Sequence, residues 1–278
     1  MTACVEPAPA KINLALHVRR RRSDGYHEIE TLFAFLRDGD VVRADEADRD
    51  SFAVTGPFAA ALTGEENNLV LAARHAFAEA FGRLAPLAIT LDKRLPVASG
   101  IGGGSADAAA MLRLLAQRHD VDLDDPGLLA CAARLGADVP ACLLGRTAIG
   151  RGTGAELHPI EGLGDTPVLL VNPGVGVSTA AVFAAWDGVD GGPLAGGGPR
   201  DIARAGRNDL EPAARRFAPA IDTVLETLAR APGVTLARMS GSGATCFALF
   251  DTAAARSAAA EAIRAPHPGW WLLESVLL

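Results

Sequence analysis

The sequence predicts an α+β protein with two domains. In the first half of the chain, segments typical of strands largely precede the main helices, and in the second half strands and helices alternate. The length of 278 residues, with 49% hydrophobic and 21% charged residues, suits one large or two modest globular domains. We therefore expect one domain over residues 1–160 and a second over residues 161–278.

The first half opens with a predicted hairpin. Residues 10–18 alternate between polar and apolar, Ser23-Asp24-Gly25 supplies the turn, and residues 28–36 form the returning strand. Apolar residues at helical spacing predict a helix over 68–81 that ends at Gly82. The other elements predicted here are strands at 40–44, 51–55, 86–92, 146–150 and 155–160, and helices at 105–118 and about 125–134.

The second half alternates strands with helices. Residues 188–199 are rich in Gly and Pro and predict a mobile surface loop. A second glycine loop is predicted at 240–243. The remaining elements are strands at 168–171, 234–238, 245–250 and 270–277, and helices at 178–186, 213–230 and 252–264.

Composition and charge exclude several classes of protein. A net charge of −7 argues against general affinity for nucleic acid or for an anionic membrane. We see neither a signal peptide nor about 18 consecutive apolar residues, so we expect a cytoplasmic protein without a membrane span. The four cysteines form no Cys-x-x-Cys pair, which argues against a disulfide framework and a structural zinc: Cys4, Cys131, Cys142 and Cys246.

The strongest local signal is the glycine-rich segment Leu95–Asp107. Its glycines let backbone N–H groups face an anion, and the helix predicted from Ser105 adds the positive end of its dipole. This combination favours a phosphate site, although a glycine-rich turn without a ligand stays an alternative. The chain has no Gly-Lys pair, which excludes a P-loop, and Ser105 stands where the dinucleotide-binding fingerprint needs glycine.

Two further segments carry candidate catalytic groups. Lys11 and Asn13 share one face of a predicted strand, where an ammonium group could neutralise a phosphoryl group, and an edge strand with solvated side chains is the alternative. Asp138 lies between apolar residues before Pro140 and is a candidate general base or, alternatively, a helix N-cap. Only two of the 26 Lys and Arg residues are lysines, Lys11 and Lys93, which suggests that these two positions need an ammonium group.

The hairpin turn is a candidate platform for a flat heterocycle. Tyr26 is the only tyrosine in the chain, and an aromatic face beside His27 suits a base, although an exposed aromatic at a plain turn is the alternative. Residues 19–22, four arginines in succession, fit a solvated hairpin tip better than a binding patch. The loop at 240–244 is either a second source of backbone donors or a tight turn.

Together these motifs resemble the superfamily of galactokinase, homoserine kinase, mevalonate kinase and phosphomevalonate kinase. Three superfamily motifs are matched by Pro9–Asn13, Pro96–Ser105 and Ser240–Ala244. Within the superfamily, Pro-Ala-Lys-Ile-Asn-Leu, Asp-Gly-Tyr-His, Glu-Asn-Asn-Leu-Val, Gly-Ile-Gly-Gly-Gly-Ser-Ala-Asp-Ala-Ala and Leu-Gly-Ala-Asp-Val-Pro are similar to the kinases of cytidine-diphosphate-linked methylerythritol. The resemblance runs from Pro9 to about Phe250.

The resemblance implies a fold and an activity. The implied fold has an N-terminal ATP-binding domain with a left-handed βαβ unit and a C-terminal ferredoxin-like domain on the substrate side. The implied enzyme uses ATP and Mg²⁺ to phosphorylate the 2-hydroxyl of the cytidine compound, in the non-mevalonate route to isoprenoid precursors. The implied partner is this small molecule, not nucleic acid or a membrane, and the implied state is a monomer or weak homodimer.

The resemblance also assigns residues by position. Asp138 matches the catalytic base and Lys11 its charge-stabilising partner, while Asn68 and Lys93 match positions near the adenine. Ser105 is a candidate metal ligand. The ATP phosphates are assigned to Pro96, Val97, Ala98, Ser99, Gly100, Ile101, Gly102, Gly103, Gly104, Ser105 and Ala106. The substrate is assigned to Asn13, Tyr26, His27, Thr179 and Phe183, with Tyr26 and Phe183 stacking on cytosine and His27 reading its edge.

Three other functions remain as alternatives. A kinase for homoserine or mevalonate would keep Lys11, the glycine loop and Asp138 but would not need the Asp-Gly-Tyr-His segment. A nucleotide-binding protein without turnover is disfavoured by the presence of Lys11, Ser105 and Asp138. A dinucleotide-dependent oxidoreductase comes last, because its fingerprint fails at Ser105.

Overall fold

The computed structural model describes residues 4–63 and 68–278, so Glu66 and Asn67 of the Glu-Asn-Asn-Leu-Val motif lie outside the described residues. The elements up to residue 160 are β1 (Cys4–Arg21), β2 (His27–Glu46), β3 (Ser51–Thr55), a 3-10 helix (Ala59–Leu62), α1 (Leu69–Phe81), β4 (Leu87–Asp92), α2 (Gly103–Arg118), α3 (Pro126–Leu135), α4 (Val139–Leu144), β5 (Ala148–Arg151) and β6 (Glu156–Pro159). The later elements are β7 (Pro167–Asn172), α5 (Thr179–Ala184), α6 (Pro199–Ala205), α7 (Glu211–Phe217), α8 (Ala220–Ala229), β8 (Val234–Met239), β9 (Cys246–Phe250), α9 (Ala253–Arg264) and β10 (Trp271–Val276).

The chain forms two compact units that differ from the predicted division at residue 160. The first unit comprises the described parts of Met1–Ala10, Asp38–Val97 and Gly102–Gly145. The second comprises Lys11–Arg37, Ala98–Ile101 and Arg146–Leu278. The difference arises because β1 and β2 are 18 and 20 residues long, so each strand contributes to both units.

The first unit contains a βαβ arrangement and a layer of helices. Strand β4 pairs antiparallel with the end of β2 and parallel with β3, and α1 lies between β3 and β4 in the chain. Helix α2 packs against α1, α3 and α4. Its many alanines allow this close packing, because a methyl side chain lets neighbouring helices approach: Ala106, Ala108, Ala109, Ala110 and Ala116 are all buried.

The second unit contains a ferredoxin-like sheet. Its four strands lie in the order β10-β7-β9-β8, and every neighbouring pair is antiparallel. Helices precede β8 and β10, which gives the split βαββαβ arrangement. Helix α8 buries Ile221, Val224 and Leu228 in the core beside this sheet. The beginning of β2 pairs with β5, and β5 pairs with β6. Together with the βαβ arrangement, this confirms the predicted two-domain α+β fold.

Two predicted boundaries are wrong. The strands predicted at 28–36 and 40–44 are one strand, β2, in which Gly39 lies so close to the carbonyl of Ala8 that a side chain would not fit. The helix predicted over 213–230 is two helices, α7 and α8. Pro219 explains the break, because a residue before proline avoids helical angles and Ala218 has φ −135° and ψ 81°.

The Gly/Pro-rich segment 188–199 is anchored by side chains, which differs from the predicted mobile loop. Arg19 donates to both carboxylate oxygens of Asp190 at 2.9 and 3.1 Å. Glu30 accepts a hydrogen bond of 3.0 Å from the amide of Leu194. His17 Nδ1 lies 3.0 Å from the carbonyl oxygen of Gly192. These contacts attach the segment to β1 and β2. Within the described ranges, no helix has the length and apolarity that a membrane crossing requires.

Candidate active site

The glycine loop has the backbone conformation of an anion site. Ala98, Gly100 and Gly102 have φ values of 51°, 78° and 67°, so every second residue lies in the left-handed region. Such alternation is typical of backbone nests, in which successive N–H groups face one concavity. Helix α2 begins at Gly103, and its N-cap Gly102 has no side chain to bind the first N–H groups of the helix. Each of these two features, the loop backbone and the helix start, is of a kind that donates N–H groups to phosphates.

A buried ion cluster lies directly behind the start of α2. The ammonium group of Lys93 donates to Asp40 Oδ2 and to Asp107 Oδ2, at 2.6 Å each. Asp40 Oδ1 also accepts from the amides of Arg94 and Leu95, at 2.6 and 2.8 Å. A Cβ placed on Gly103 would lie 3.1 Å from Lys93 Nζ. The cluster therefore connects residues 93–95, which precede the glycine loop, to helix α2, which follows it.

The two carboxylates of this cluster differ in their surroundings. Asp107 Oδ1 is buried and has no hydrogen-bond partner among the described residues. Burial raises the pKa of Asp107 to about 8, against the opposing effect of Lys93. Burial disfavours the charged form of Lys93, but Asp107 and Asp40 outweigh it and the pKa of Lys93 is raised. The lysine therefore stays charged, and Asp107 is the group that holds a proton near neutral pH.

The beginning of α1 lies beside the same helix end. Asn68 is the N-cap of α1, and its side chain accepts a hydrogen bond of 2.9 Å from the amide of Val70. A Cβ on Gly104 would lie 3.3 Å from the side chain of Leu69. The first unit thus brings together Asn68, Lys93 and the start of α2. The Lys93 ammonium group already donates hydrogen bonds to the side chains of Asp40 and Asp107. The prediction that Lys93 lies near the adenine is therefore supported by its position next to Gly103, and not by a hydrogen-bond donor available to the base.

Asp138 lies at the N-cap position of α4 without capping it. Its side chain makes no capping hydrogen bond, and its backbone is helical, with φ −89° and ψ −13°. In the same unit, Asp125 at the start of α3 accepts from the amides of Gly127 and Leu128, as an N-cap normally does. The half-buried Asp138 carboxylate is therefore not explained by the capping alternative.

Lys11 and Asn13 form a buried polar pair in the second unit. Lys11 is 3% exposed, and its ammonium group donates to Asn13 Oδ1 at 3.2 Å. Asn13 Nδ2 donates to Thr31 Oγ1 at 2.7 Å, and the threonine hydroxyl donates to the carbonyl of Ala15. The ammonium group also lies 5.3 Å from the ring centroid of Phe33. The prediction that Lys11 and Asn13 share one face of the strand is confirmed.

The second glycine loop packs closely against the first. Ser240 Oγ donates to the carbonyl of Gly100 at 2.9 Å and accepts from the amide of Asn13 at 3.2 Å. The amide of Lys11 donates to the carbonyl of Ile101 at 3.0 Å. A Cβ on Gly241 would lie 2.7 Å from the carbonyl oxygen of Gly100. Within the second unit, parts of all three superfamily motifs are therefore held together by hydrogen bonds.

An aromatic cluster surrounds His27. Its ring lies 5.0 Å from Phe183 at 40° and 5.8 Å from Trp186 at 81°, between centroids. Its Nε2 atom is buried and has no hydrogen-bond partner among the described residues. Tyr26 is 60% exposed at the turn. On the same helix as Phe183, the Thr179 hydroxyl lies 2.8 Å from the Ser242 hydroxyl.

Sequence reasoning missed the residues that support the predicted ones. Asp40, Thr31 and Trp186 each contact a predicted site residue. Asp107 lies in the predicted glycine-rich segment Leu95–Asp107, but its contact with Lys93 was not predicted. Nothing in the sequence indicated Asp40, because it lies 53 residues before Lys93 in the chain.

Two other features of the structure bear on ligands. The second unit has a cavity of about 500 Å³, lined among others by Trp186, Arg207 and Arg238, and no predicted site residue lines it. The described residues contain no cluster of three or more His, Cys, Asp or Glu side chains that could hold a metal ion.

Comparison with known proteins identifies the family. The profile described as the GHMP kinases N terminal domain matches residues 68–146, and that described as GHMP kinases C terminal matches residues 195–269. The 4-diphosphocytidyl-2-C-methyl-D-erythritol kinase of Rhizorhabdus wittichii is 55% identical over 276 residues, which cover 98% of this chain and 94% of the relative. The enzyme of the same name from Novosphingobium aromaticivorans is 53% identical, with 98% and 92% covered.

A solved structure agrees with the sequence relatives. The crystal structure of a 4-(cytidine 5'-diphospho)-2C-methyl-D-erythritol kinase has a TM-score of 0.80, with 36% sequence identity and 99% of each chain covered. GHMP kinases use ATP as phosphate donor, and the chain is accordingly an ATP-dependent kinase of a small molecule. With its glycine loop, its ferredoxin-like sheet and its near full-length relatives, the chain belongs to the GHMP kinases and, among them, to the 4-diphosphocytidyl-2-C-methyl-D-erythritol kinase family.

Proposed function

We propose that this kinase transfers the γ-phosphoryl group of ATP to the 2-hydroxyl of 4-diphosphocytidyl-2-C-methyl-D-erythritol, a step in the formation of isoprenoid precursors. The observation that carries the choice of substrate is the His27–Phe183 ring pair, 5.0 Å apart, with a buried His27 nitrogen that lacks a partner among the described residues. An aromatic face beside an unused ring nitrogen suits a base that stacks and offers polar edge atoms. The relatives that share 53–55% identity carry the name of this activity.

In the proposed mechanism, the glycine loop and the start of α2 hold the ATP phosphates. Residues 96–106 supply backbone N–H groups and a helix dipole, and Lys93 adds a buried positive charge behind Gly103. Phosphoryl transfer depends on position and charge more than on covalent chemistry by the protein, so these groups would supply much of the stabilisation.

Two residues are proposed to act on the acceptor hydroxyl. Asp138 removes its proton as general base, because a half-buried carboxylate can accept a proton from a neighbouring hydroxyl. Lys11 places an ammonium group near the negative charge that develops during transfer, with Asn13 and Phe33 fixing the position of that group. Asn13, Tyr26, Thr179 and Phe183 would hold the rest of the substrate.

Magnesium fits the site through the nucleotide rather than through a cage of protein carboxylates. The Ser105 hydroxyl, in the first turn of α2, is the proposed protein ligand, and hard oxygen donors of this kind suit Mg²⁺. When bound, the ion would neutralise charge on the ATP phosphates. We further propose a monomer or weak homodimer in the cytoplasm, a reducing compartment in which cysteines outside disulfides are expected.

Side-by-side turnover assays test the substrate. ADP production from ATP and Mg²⁺ is measured with 4-diphosphocytidyl-2-C-methyl-D-erythritol, homoserine and mevalonate. We expect turnover with the cytidine compound alone, and inhibition of that turnover by free CMP or CDP. Turnover with homoserine or mevalonate alone would contradict the proposed role of the aromatic cluster.

Asp138→Asn tests the general base. We expect kcat to fall about 10³-fold, since a general base contributes about 10²–10⁴-fold, while ATP affinity and the thermal midpoint stay near the wild-type values. The matched control is Asp125→Ala, which removes a true N-cap in the same unit. This control should lower the thermal midpoint and leave kcat unchanged. Equal losses of turnover in both variants would contradict the catalytic role of Asp138.

A further inference from the structure

We propose that Arg21 and Trp186 are positioning residues that hold the His27 ring and helix α5 in place for the cytosine base. Neither residue belongs to the motifs that predicted the site. The inference rests on the proposed function, because it concerns how the same substrate region is ordered. It assigns to one arginine of the run at 19–22 a specific task, where the sequence alone predicted a solvated tip.

Arg21 binds the C-terminal end of α5. Its Nη2 atom donates to the carbonyl of Ala184 at 3.2 Å and to the carbonyl of Trp186 at 2.5 Å. The last carbonyls of a helix have no partners within the helix and carry partial negative charge, so a guanidinium group there satisfies and stabilises them. Because α5 carries Thr179 and Phe183, this contact fixes the helix that faces the substrate region.

Trp186 connects this contact to His27. The guanidinium carbon of Arg21 lies 5.7 Å from the Trp186 ring centroid, within the range of a cation–π contact. The Trp186 ring, only 5% exposed, meets the His27 ring at 81°. Phe183 contacts the same histidine ring at 40°. Two rings at different angles define the plane of the His27 ring and therefore the direction of its nitrogens.

The buried nitrogen of His27 indicates what this arrangement is for. A buried polar atom without a hydrogen bond costs free energy, and such atoms are rare unless a ligand completes them. Burial lowers the pKa of His27, and the positive charge of Arg21 lowers it further. No other charged group contributes to the lowering of this pKa. The ring is therefore neutral near pH 7, which leaves one nitrogen as a donor and the other as an acceptor for a base edge.

The neighbouring arginine supplies a matched control. Arg20 has a side chain that is 73% exposed, and its nearest ion-pair partner, Glu28, lies 3.8 Å away. Arg20→Gln and Arg21→Gln remove the same charge from adjacent positions of β1. The two variants therefore separate a general effect of charge from the specific contact with α5 and Trp186.

The experiment compares these two variants with the wild-type full chain. Initial rates with the cytidine substrate and with ATP give the two KM values and kcat. For Arg21→Gln we expect the KM of the cytidine substrate to rise roughly tenfold, because one charge-assisted contact is lost. The KM of ATP and kcat should stay within about twofold of the wild-type values. Arg20→Gln should match wild type. Arg21→Lys, which keeps the charge but not the planar fork, should restore part of the affinity.

A proton NMR titration of His27 provides a readout that does not need activity. We expect the pKa of His27 to rise in Arg21→Gln and to stay unchanged in Arg20→Gln, with the signal assigned by its loss in His27→Gln. An unchanged KM and an unchanged His27 pKa in Arg21→Gln would overturn the proposal, as would an equal rise of both KM values. A wild-type enzyme that is inactive on the cytidine compound would instead refute the proposed function, while the titration would still decide whether Arg21 acts on His27.

A second pair of variants covers the case in which Arg21→Gln does not fold. Trp186→Phe keeps an aromatic ring at the position, and Trp186→Leu removes it. We expect the KM of the cytidine substrate to rise more in Trp186→Leu than in Trp186→Phe, with no change in the KM of ATP. Equal KM values in the two variants would overturn the role of Trp186.

Discussion

The two lysines of the chain are both buried, but their partners differ. Lys93 is 2% exposed and has two carboxylates within hydrogen-bond distance. Lys11 contacts an amide oxygen and an aromatic face. The buried Lys93 ammonium is already matched by its two acidic partners, so we interpret Lys93 as a structural support of the phosphate loop.

The cluster around Lys93 predicts unequal effects of two similar substitutions. Asp40→Asn removes the charge and one acceptor oxygen of a carboxylate that accepts from three N–H groups, and it leaves the buried ammonium short of negative charge. We therefore expect a loss of about 3 kcal/mol or more in the free energy of unfolding. Asp107→Asn resembles the protonated acid that burial favours, and should cost clearly less. Urea unfolding at pH 7 measures both variants. A larger loss for Asp107→Asn would contradict this account of the cluster.

Asp107 also predicts a pH dependence. Its folded-state pKa, about 8, is raised above its value in the unfolded chain, so the folded state holds an extra proton between the two values. The corresponding stabilisation is complete below about pH 4 and is lost as the pH rises through about 8. Thermal midpoints measured between pH 6 and 9 should therefore fall less steeply in Asp107→Asn than in wild type. Parallel curves for the two proteins would contradict the raised pKa.

Residues of the site differ in how well sequence could predict them. Lys11 and Asn13 lie two positions apart on one strand, so their pairing follows from the local period of side chains. Asp40, Lys93 and Asp107 come from a strand, a loop and a helix, so no spacing predicts their meeting. Long-range polar clusters of this kind depend on the tertiary fold.

At the scale of elements, the backbones of the two glycine loops pack directly against each other. Gly100 has φ 78°, and a Cβ on it would lie 2.6 Å from the carbonyl oxygen of Ser240 and 2.7 Å from that of Gly243. Both obstacles are backbone atoms, which cannot rotate away. The sequence predicted each loop, but their contact was not predictable, because close backbone packing leaves no pattern of side chains.

Gly100→Ala tests this contact, with Gly145→Ala as the control. Gly145 also has a positive φ, 65°, but a Cβ there would meet its nearest neighbour, the Cys142 carbonyl oxygen, only at 3.8 Å. Both variants carry the strain of a positive φ, roughly 1–2 kcal/mol. Gly100→Ala should lose about 1–3 kcal/mol more because of overpacking, and should also lose ATP affinity. Thermal unfolding and ATP titration measure these effects. Equal midpoints in the two variants would contradict the contact.

The segment 188–199 provides a second test at this scale. Arg19 forms ion pairs with Glu30 of β2 and with Asp190 of the segment. The pair with Asp190 holds the segment to the first hairpin. We expect Arg19→Gln to increase amide hydrogen exchange at residues 189–194, because local opening becomes easier when an anchoring side chain is lost. Arg20→Gln should leave the exchange unchanged. Equal exchange in wild type and Arg19→Gln would indicate that the backbone contacts of the segment suffice.

At the scale of the whole molecule, long strands explain why the domain division was difficult to predict. The sequence indicated strands at 10–18, 28–36 and 40–44, whereas β1 and β2 extend over Cys4–Arg21 and His27–Glu46. A single boundary near 160 follows from the order of elements along the chain. The compact units do not share this boundary, because β1 and β2 each contribute residues to both units.

Histidine ionisation predicts how the stability of the molecule changes in mild acid. The His17 Nδ1 lies 3.0 Å from the carbonyl of Gly192, and its Nε2 accepts from the amide of Arg207, so only the neutral ring satisfies both. Burial and Arg207 lower the pKa of His17, and burial and Arg21 lower that of His27. The unfolded state thus binds protons first, and stability should fall as the pH drops below about 6.5.

Thermal midpoints between pH 5 and 7.5 check this expectation. Wild type should lose stability over this range as the pH falls, and His17→Gln should lose less, because glutamine offers a donor and an acceptor without a titrating group. His158→Gln is the control, since His158 lies in β6 and its side chain is not buried. A slope in His17→Gln as steep as in wild type would contradict the role of His17.

The burial of both lysines has a practical consequence for labelling. Reductive methylation with ¹³C-formaldehyde modifies side-chain amines, and in this chain the only such amines are those of Lys11 and Lys93. They belong to different compact units and are 3% and 2% exposed, so each would be modified slowly and each would report on its own unit. A methyl spectrum of the labelled enzyme would therefore contain two side-chain resonances, one from the ammonium proposed to face the acceptor and one from the ammonium behind the phosphate loop.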